Sequence, residues 1–323
     1  TRDDKDQIIS VTSAPQSGYS TRKMNAGLIR NRGVELSLGG MPVSTKNWKW
    51  EMNFNIAKNS NKLVELADGV DSYSIYWTSF TTRLYNYAMV GKSLGVITGN
   101  TWERDDNGNI IFHELSASQK ALYGGEYVPT YNQNTLDELG NFHPDFTGGF
   151  NTSISFKNFR LSANIDFSVG GQIVSYTNMW GSSSGILDKT AELNDRGVNV
   201  REPVSKGGGI HMTGVDQNGN KVDTYVNAKL YYTTASRVWE EWVYDRTYVK
   251  LREVSLSYVF PSQTLKKLNI GLSRASVAIN ASNPWLIYSA CPNVDVSEIG
   301  MGYFEGGNAA ATRSIGFTVN LAF

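Results

Sequence analysis

The stretch ATRSIGFTVNLAF, residues 311–323, decides the fold. Ile315, Phe317, Val319, Leu321 and Phe323 fall on one side of an extended strand. Ser314, Gly316, Thr318, Asn320 and Ala322 fall on the other. Side chains alternate faces along a strand, so one face is oily and the other small and polar. A soluble sheet would turn the oily face into a core, and a membrane barrel would turn it toward lipid.

The alternation recurs upstream. Trp48, Trp50, Met52, Phe54 and Ile56 oppose Lys49, Glu51, Asn53 and Asn55. Phe146, Phe150, Ile154 and Phe156 share a parity, and so do Phe159, Leu161, Ala163, Ile165, Phe167 and Val169. Val34, Leu36 and Leu38 repeat it briefly. The longer runs match the roughly 9–11 residues that a tilted strand needs to cross the hydrocarbon layer. In YVKLREVSLSYVF (248–260) the parity switches between Leu251 and Val254, and in NIGLSRASVAINA (269–281) between Leu272 and Val277. A one-residue bulge in each restores a single oily face.

Seven strands result, joined alternately by short and long connections. The short ones are Gly40–Asn47, Lys157–Asn158 and Pro261–Asn269; the long ones are Ser60–His143, Ile173–Arg246 and Asn283–Ala310. Connections in compact soluble domains have a median of about 4–6 residues. Outer-membrane barrels place short turns on the periplasmic side and long loops outside. Since such barrels have even strand numbers, DQIISVTS (6–13) is expected to be the top of a further rising strand. ERDDNGNIIF (103–112) and GVDQNGNKVD (214–223) each place Asn-Gly between extended segments, a hairpin signal that outweighs a calcium-loop reading of Asp105 and Asp106.

Composition excludes several functions. Lys+Arg and Asp+Glu are both 30, which gives no electrostatic case for nucleic acid. Cys291 is the single cysteine, so no intrachain disulfide forms. His113, His143 and His211 are dispersed without ligand spacing, so no metal site is expected, and no catalytic constellation is recognisable. KGGGI (206–210) lacks the setting of a phosphate loop. No run of eighteen apolar residues forms a transmembrane helix. The opening TRDDKDQIIS is not a signal peptide, and the sequence is expected to begin partway through a longer chain.

Five segments resemble SusC-like TonB-dependent outer-membrane transporters: NAGLIRNRGVELSLGG (25–40), HPDFTGGFNTSISFKNF (143–159), YVKLREVSLSYVFP (248–261), NPW (283–285) and RSIGFTVNLAF (313–323). NVDVSE (293–298) departs from the Asp-Pro-Glu more usual in that family. The resemblance implies an all-β, transmembrane antiparallel barrel of 22 strands. Residues 1–323 would supply about its last seven or eight, with the plug domain and first strands upstream. It implies import of glycans or peptides across the outer membrane of a Gram-negative bacterium, without enzymatic activity or cofactor. The partners implied are a SusD-like lipoprotein lid, TonB acting through upstream residues, outer-membrane lipid and the barrel assembly machinery; a dimer of transporter–lid pairs is one arrangement. The machinery would read Phe323, the aromatic after the last alternating run.

Gly27, Gly33, Gly148 and Gly149 read as strand-packing positions. Glu35, Lys250, Arg252 and Glu253 read as charges that pair in the lumen or at its rim. The main binding candidate is the segment 71–89, where Tyr73, Tyr76, Trp77, Phe80, Tyr85 and Tyr87 crowd one extracellular loop. Their flat faces and polar edges suit sugar rings, a lid surface or packing within the loop. WGSSSGILD (180–188) is a second candidate loop tip, and VWEEWVYDRTY (238–248) reads as outer aromatic belt. Two other readings stay open: a soluble carbohydrate-binding β-sandwich, which would bury Phe146, Phe150, Ile154 and Phe156, and a small structural or adhesin barrel.

Overall fold

The computed structural model describes residues 1–6, 8–12, 16, 18, 21–25, 27–78, 82–268, 271–299, 304–307, 309 and 311–323. Its main feature is an eight-stranded antiparallel sheet. In chain order the strands are β1 (Arg2–Lys5), β2 (Leu28–Ser44), β3 (Trp48–Glu65), β4 (Phe146–Phe156), β5 (Phe159–Val169), β6 (Tyr248–Val259), β7 (Arg274–Ser289) and β8 (Ser314–Ala322). Each pairs with its neighbours in sequence.

The register confirms the parity read from the sequence. Phe150 lies opposite Phe54 and Ile165, and Ile154 opposite Trp50 and Leu161. Leu256 continues the row to Leu161 and Ile279, and Ile279 to Phe317. This apolar face is exposed: Val34 is 76% accessible, Phe317 69% and Phe159 51%. Phe146, Ile154 and Phe156 are exposed as well, so they do not form the core that a soluble sandwich requires. Trp50 stays on this face by donating its indole N–H to Thr152 Oγ1 at 2.9 Å.

The apolar band has marked ends on β4. Lys58 Nζ lies 4.9 Å from the Phe146 ring, and Lys157 Nζ lies 5.3 Å from the Phe156 ring. Long ammonium stems that run over apolar rings toward water mark a polar boundary. The ten residue steps between them span roughly 33 Å of strand at ~3.3 Å each. A tilt of about 40° reduces that to about 25 Å, the height of a barrel's lipid-facing band.

The bulge expected in β6 is present at Arg252. Asn164 pairs with Glu253 and Ile165 with Leu251, which leaves Arg252 as the extra residue. Val249 and Leu251 therefore rejoin the apolar row. The irregularity in β7 lies elsewhere than expected. The strand starts at Arg274, after Leu272, and its register shifts fall at 283–284 and 287, where Asn283 takes a φ of 49°. Ile270 lies outside the described residues.

At the start of the chain, β1 pairs with β2 through Arg2–Asn31 to Lys5–Leu28. The segment expected to be the rising strand instead forms a separate hairpin, Ile8–Thr12 against Thr21–Asn25. Gly148 justifies its place: a β-carbon there would lie 2.5 Å from Phe167 Cζ and nearer still to the Asn55 carbonyl. Its absence lets the Phe54 and Phe167 rings approach to 6.1 Å.

The short connections are 45–47, 157–158 and 260–273, the last holding the helix Ser262–Leu268. The long ones, 66–145, 170–247 and 290–313, lie at the other end of the sheet. No helix among the described residues is long and apolar enough to cross a membrane.

Candidate functional site

The long connections are not open loops. They fold into one body, termed the cap, whose main core is shared by the first two. Leu84, Ile97 and Trp102 come from the first connection; Tyr176, Met179, Val238, Trp239 and Trp242 come from the second. Phe304 of the third packs against them. Trp239 and Trp242 are fully buried here, which corrects their reading as outer aromatic belt. Both an interface belt and a core call for large amphipathic rings, so sequence content alone does not separate them. Trp102 donates through its indole to Glu241 Oε1 at 2.5 Å and through its backbone to Glu240 Oε2 at 3.0 Å. Asn100 completes the join, donating to the Arg237 carbonyl at 2.6 Å.

Two small sheets flank this core. In one, Tyr127–Pro129 and Ile111–Glu114 from the first connection continue into Ile210–Asp216 and Lys221–Val226 from the second. Its Asn-Gly turns are the expected hairpins. Asp105 accepts from Asn107 N, Asn109 N and Asn109 Nδ2 at 2.8–3.0 Å, and Asp216 repeats the pattern with Asn218 and Asn220. Gly108 and Gly219 take φ values of 82° and 80°, as the left-handed position closing such a turn requires. Both carboxylates are thereby committed to their own turns.

The other sheet orders its strands Asp137–Asn141, Val96–Gly99, Leu84–Met89 and Ser72–Thr78. It carries the aromatic candidates and divides them. Leu84, Asn86 and Ala88 face inward, while Tyr85 and Tyr87 share the opposite face, half-buried and stacked at 5.1 Å. Burial pushes the Tyr87 hydroxyl pKa up. Tyr73 belongs to the packing side, against Leu63, Leu66 and Ala88. The backbone register sets Tyr76 opposite Asn86 and Trp77 opposite Tyr85, with the shift falling between Ser74 and Tyr76. The Tyr76 and Trp77 side chains, and Phe80 altogether, lie outside the described residues.

A charged cluster that the aromatic reading did not include joins sheet and cap. Lys250 is 1% exposed on the polar face of β6. Its Nζ donates to Asp295 Oδ2 at 2.7 Å, Glu298 Oε1 at 2.8 Å and Ser297 Oγ at 3.0 Å. Arg252, turned to the same side by its bulge, forks onto Asp166 at 2.8 and 3.0 Å and also reaches Glu298. The 293–298 segment holds its shape without the proline: Asp295 accepts from Ser297 N at 3.1 Å and caps the turn Val296–Glu298. Burial alone would raise the Asp295 pKa, but the Lys250 ammonium and Ser297 outweigh it and hold the carboxyl below its usual range. Lys250 acts first on Glu298 in the same direction. Below this cluster a hollow of about 290 Å³ runs along the polar face, lined by Glu51, Asn53, Asn151, Arg160, Asn164 and Glu253.

The three histidines stay apart. His113 lies in a cap strand and His143 just before β4; His211 bridges Asp195 and Asp223 at 2.7 and 2.8 Å. No group of metal-ligating side chains occurs among the described residues. Phe323 follows β8 and is 86% exposed.

No family model matches the chain. It is 27% identical to TonB-dependent receptor P3 of Formosa agariphila over 287 residues, 86% of this chain and 26% of that protein. It is 38% identical to TonB-dependent receptor SusC of Bacteroides thetaiotaomicron over 178 residues, 52% of this chain and 17% of that protein. In fold it is similar to a solved structure titled the RagAB peptide importer in the closed-closed state. The TM-score is 0.68 at 18% identity, covering 99% of this chain and 32% of that one. The chain thus spans less than a third of the length of these proteins. An exposed apolar band, a polar opposite face and the structural match give the chain the strand fold of a transmembrane TonB-dependent transporter barrel, and its sequence is similar to SusC-like TonB-dependent receptors.

Proposed function

We propose that the chain forms the C-terminal wall and cap of an outer-membrane importer of nutrient oligomers. Upstream residues would supply a plug domain, the TonB-contacting segment and the remaining strands of a 22-stranded barrel. A SusD-like lipoprotein would close the cap from outside, with a dimer of such pairs as the larger assembly. Transport without catalysis is the activity. Cargo is held between cap and lid, the plug moves, and the cargo passes along the polar face of the wall.

The observation that carries this reading is the cap. Three long connections at one end of the sheet build it, and two share a single core. A pore wall with a built structure over one mouth suits capture before passage. Within the cap, the surface face with Tyr85 and Tyr87 is the proposed contact for cargo or lid, with Trp77 in register beside Tyr85. Peptides and glycans both remain cargo in this proposal.

Uptake of labelled oligopeptides and oligosaccharides by cells with and without TonB tests the reading. TonB-dependent entry of either is the expected result, and no energy-dependent entry of any oligomer refutes it. Tyr85→Ala and Trp77→Ala, each scored by cargo calorimetry and lid pull-down, test the surface. A stacking loss of roughly 1–3 kcal/mol is expected where a ring meets cargo, by analogy with base stacking. If both variants keep cargo affinity and lid recovery, the surface is packing only.

A further inference from the structure

A hollow on the cap is lined by hydroxyls and two cations. We propose that it binds the carboxylate of an acidic oligomer. It measures about 240 Å³ and is lined chiefly by Ser182, Ser183, Ser184, Thr190, Arg201 and Lys229. A neighbouring hollow of about 280 Å³ shares Arg201, Ala228 and Lys229 and adds Tyr123 and Asn227. Together they form a groove across the two cations. No acidic side chain is among the described residues lining either part.

Four features set the chemistry. Ser182 is 1% exposed, yet its Oγ has no hydrogen-bond partner in the structure. A buried hydroxyl without a partner is costly unless a ligand meets it. Arg201 is held in place: Nε donates to the Thr190 carbonyl at 2.8 Å, and Nη2 to Thr190 Oγ1 at 2.6 Å and to the Gly185 carbonyl. Its Nη1 has no partner among the described residues. Lys229 is exposed and has no carboxylate in ion-pair range among them. Lys229 also lies in the first turn of the helix Ala228–Ala235, whose free N–H groups add positive potential.

The helix's own cap commits the groove's side-chain amide. Asn227 Oδ1 accepts from Leu230 N at 3.3 Å, so the one amide oxygen in the groove is engaged. A neutral sugar needs acceptors for its hydroxyls. A carboxylate needs only donors, and the Ser182 hydroxyl, Lys229 ammonium, Arg201 guanidinium and helix N–H supply them, while Ser183 and Thr190 already donate to the Trp180 and Leu187 carbonyls. Uronic-acid sugars and acidic peptides both carry the required group. To regard the groove as a capture point for cargo rests on the import function proposed above; the binding itself does not.

Calorimetry on the purified protein in detergent, with a galacturonate trisaccharide, the uncharged galactose trisaccharide and a tri-glutamate peptide, tests the site. At least one acidic probe binds and the uncharged one does not; which acidic probe binds identifies the source of the carboxylate. Lys229→Gln weakens that binding by about tenfold or more, as loss of a charge-assisted contact should. Ser182→Ala weakens it without lowering the melting temperature, because the hydroxyl has no partner in the free protein. No binding of either acidic probe, equal binding of the uncharged one, or unchanged affinity in Lys229→Gln overturns the proposal. Uptake of the same probes separates the two readings. Lys229-dependent binding without uptake supports the site and counts against import, whereas uptake without such binding overturns the site and leaves import standing.

Discussion

Lys250 Nζ lies 2.7 Å from Asp295 Oδ2, which ties wall strand β6 to the last long connection through a side chain with almost no exposure. A buried ammonium is tolerable only with such partners. Asp295→Asn should therefore loosen the 290–299 segment by about 1.5–3 kcal/mol, the range for hydrogen bonds to a charged group. Glu298 and Ser297 remain as partners and keep the loss from being larger. Hydrogen exchange over 290–299, with Lys250→Met and the double variant to complete the cycle, gives the coupling. Additive effects would mean that the pair does not hold the segment.

The same join sets a pH dependence. Asp295 and Glu298 both titrate below their usual values in the folded protein. Their contribution is thus complete above the unfolded carboxylate values near pH 4 and is lost as the pH falls through the lower folded values. Exchange protection of 290–299 should hold from pH 7 to about 5 and fall below about 4. Uniform protection down to pH 3 would contradict it.

His211 has the opposite sign. Its hydrogen bond to Asp223, and then the charge of Asp195, raise its pKa. The cationic bridge is fully present below the unfolded value of about 6.5 and is lost as the pH rises through the higher folded value. The ring is largely solvated, so the effect is small and weakened by salt. NMR titration of the His211 ring should give a midpoint above that of a free histidine, and Asp223→Asn should lower it.

Gly148→Val should impair the wall. The added atoms would overlap Phe167 and the Asn55 carbonyl, and both strands are pinned by their neighbours. Overpacking costs typically about 1–3 kcal/mol. The measurement is the melting temperature of the heat-modifiable barrel; Gly149→Ala, where the nearest atom is 3.3 Å away, should shift it less.

Deletion of Phe323 should reduce the yield of inserted barrel more than its melting temperature. The residue is 86% exposed and makes little packing, yet it completes the apolar row of β8. Equal yields in outer membranes with and without Phe323 would remove its proposed role as an assembly signal.

The wall was legible because its periodicity is local. Each side chain from Phe146 to Val169 declares its face within two residues, and the break at Arg252 shows as a parity slip. Strand ends were less legible: β2 runs on to Ser44 through two glycines and a proline, and β3 to Glu65 through the polar residues 58–62, neither of which carries the alternation. The cap was hidden for a different reason. Trp102 and Glu241 meet across 139 positions, and nothing near either residue announces the other. In the aromatic segment, the division of the rings between two faces was not legible. Tyr73 packs while Tyr85 and Tyr87 face out, because a register that only the partner strand fixes decides the sides.

That separation has a consequence for the order of biogenesis. The shared core cannot form from either connection alone, since its tryptophans come one from the first and two from the second. Between them lie β4 and β5, so the two connections meet only across a paired hairpin of the wall. Until both connections are in place, Leu84, Ile97 and Trp102 have no core to enter. Contacts so distant in sequence form slowly, because loop closure precedes any reward. The cap is therefore a late element of the fold, completed only after the wall has brought its two halves together.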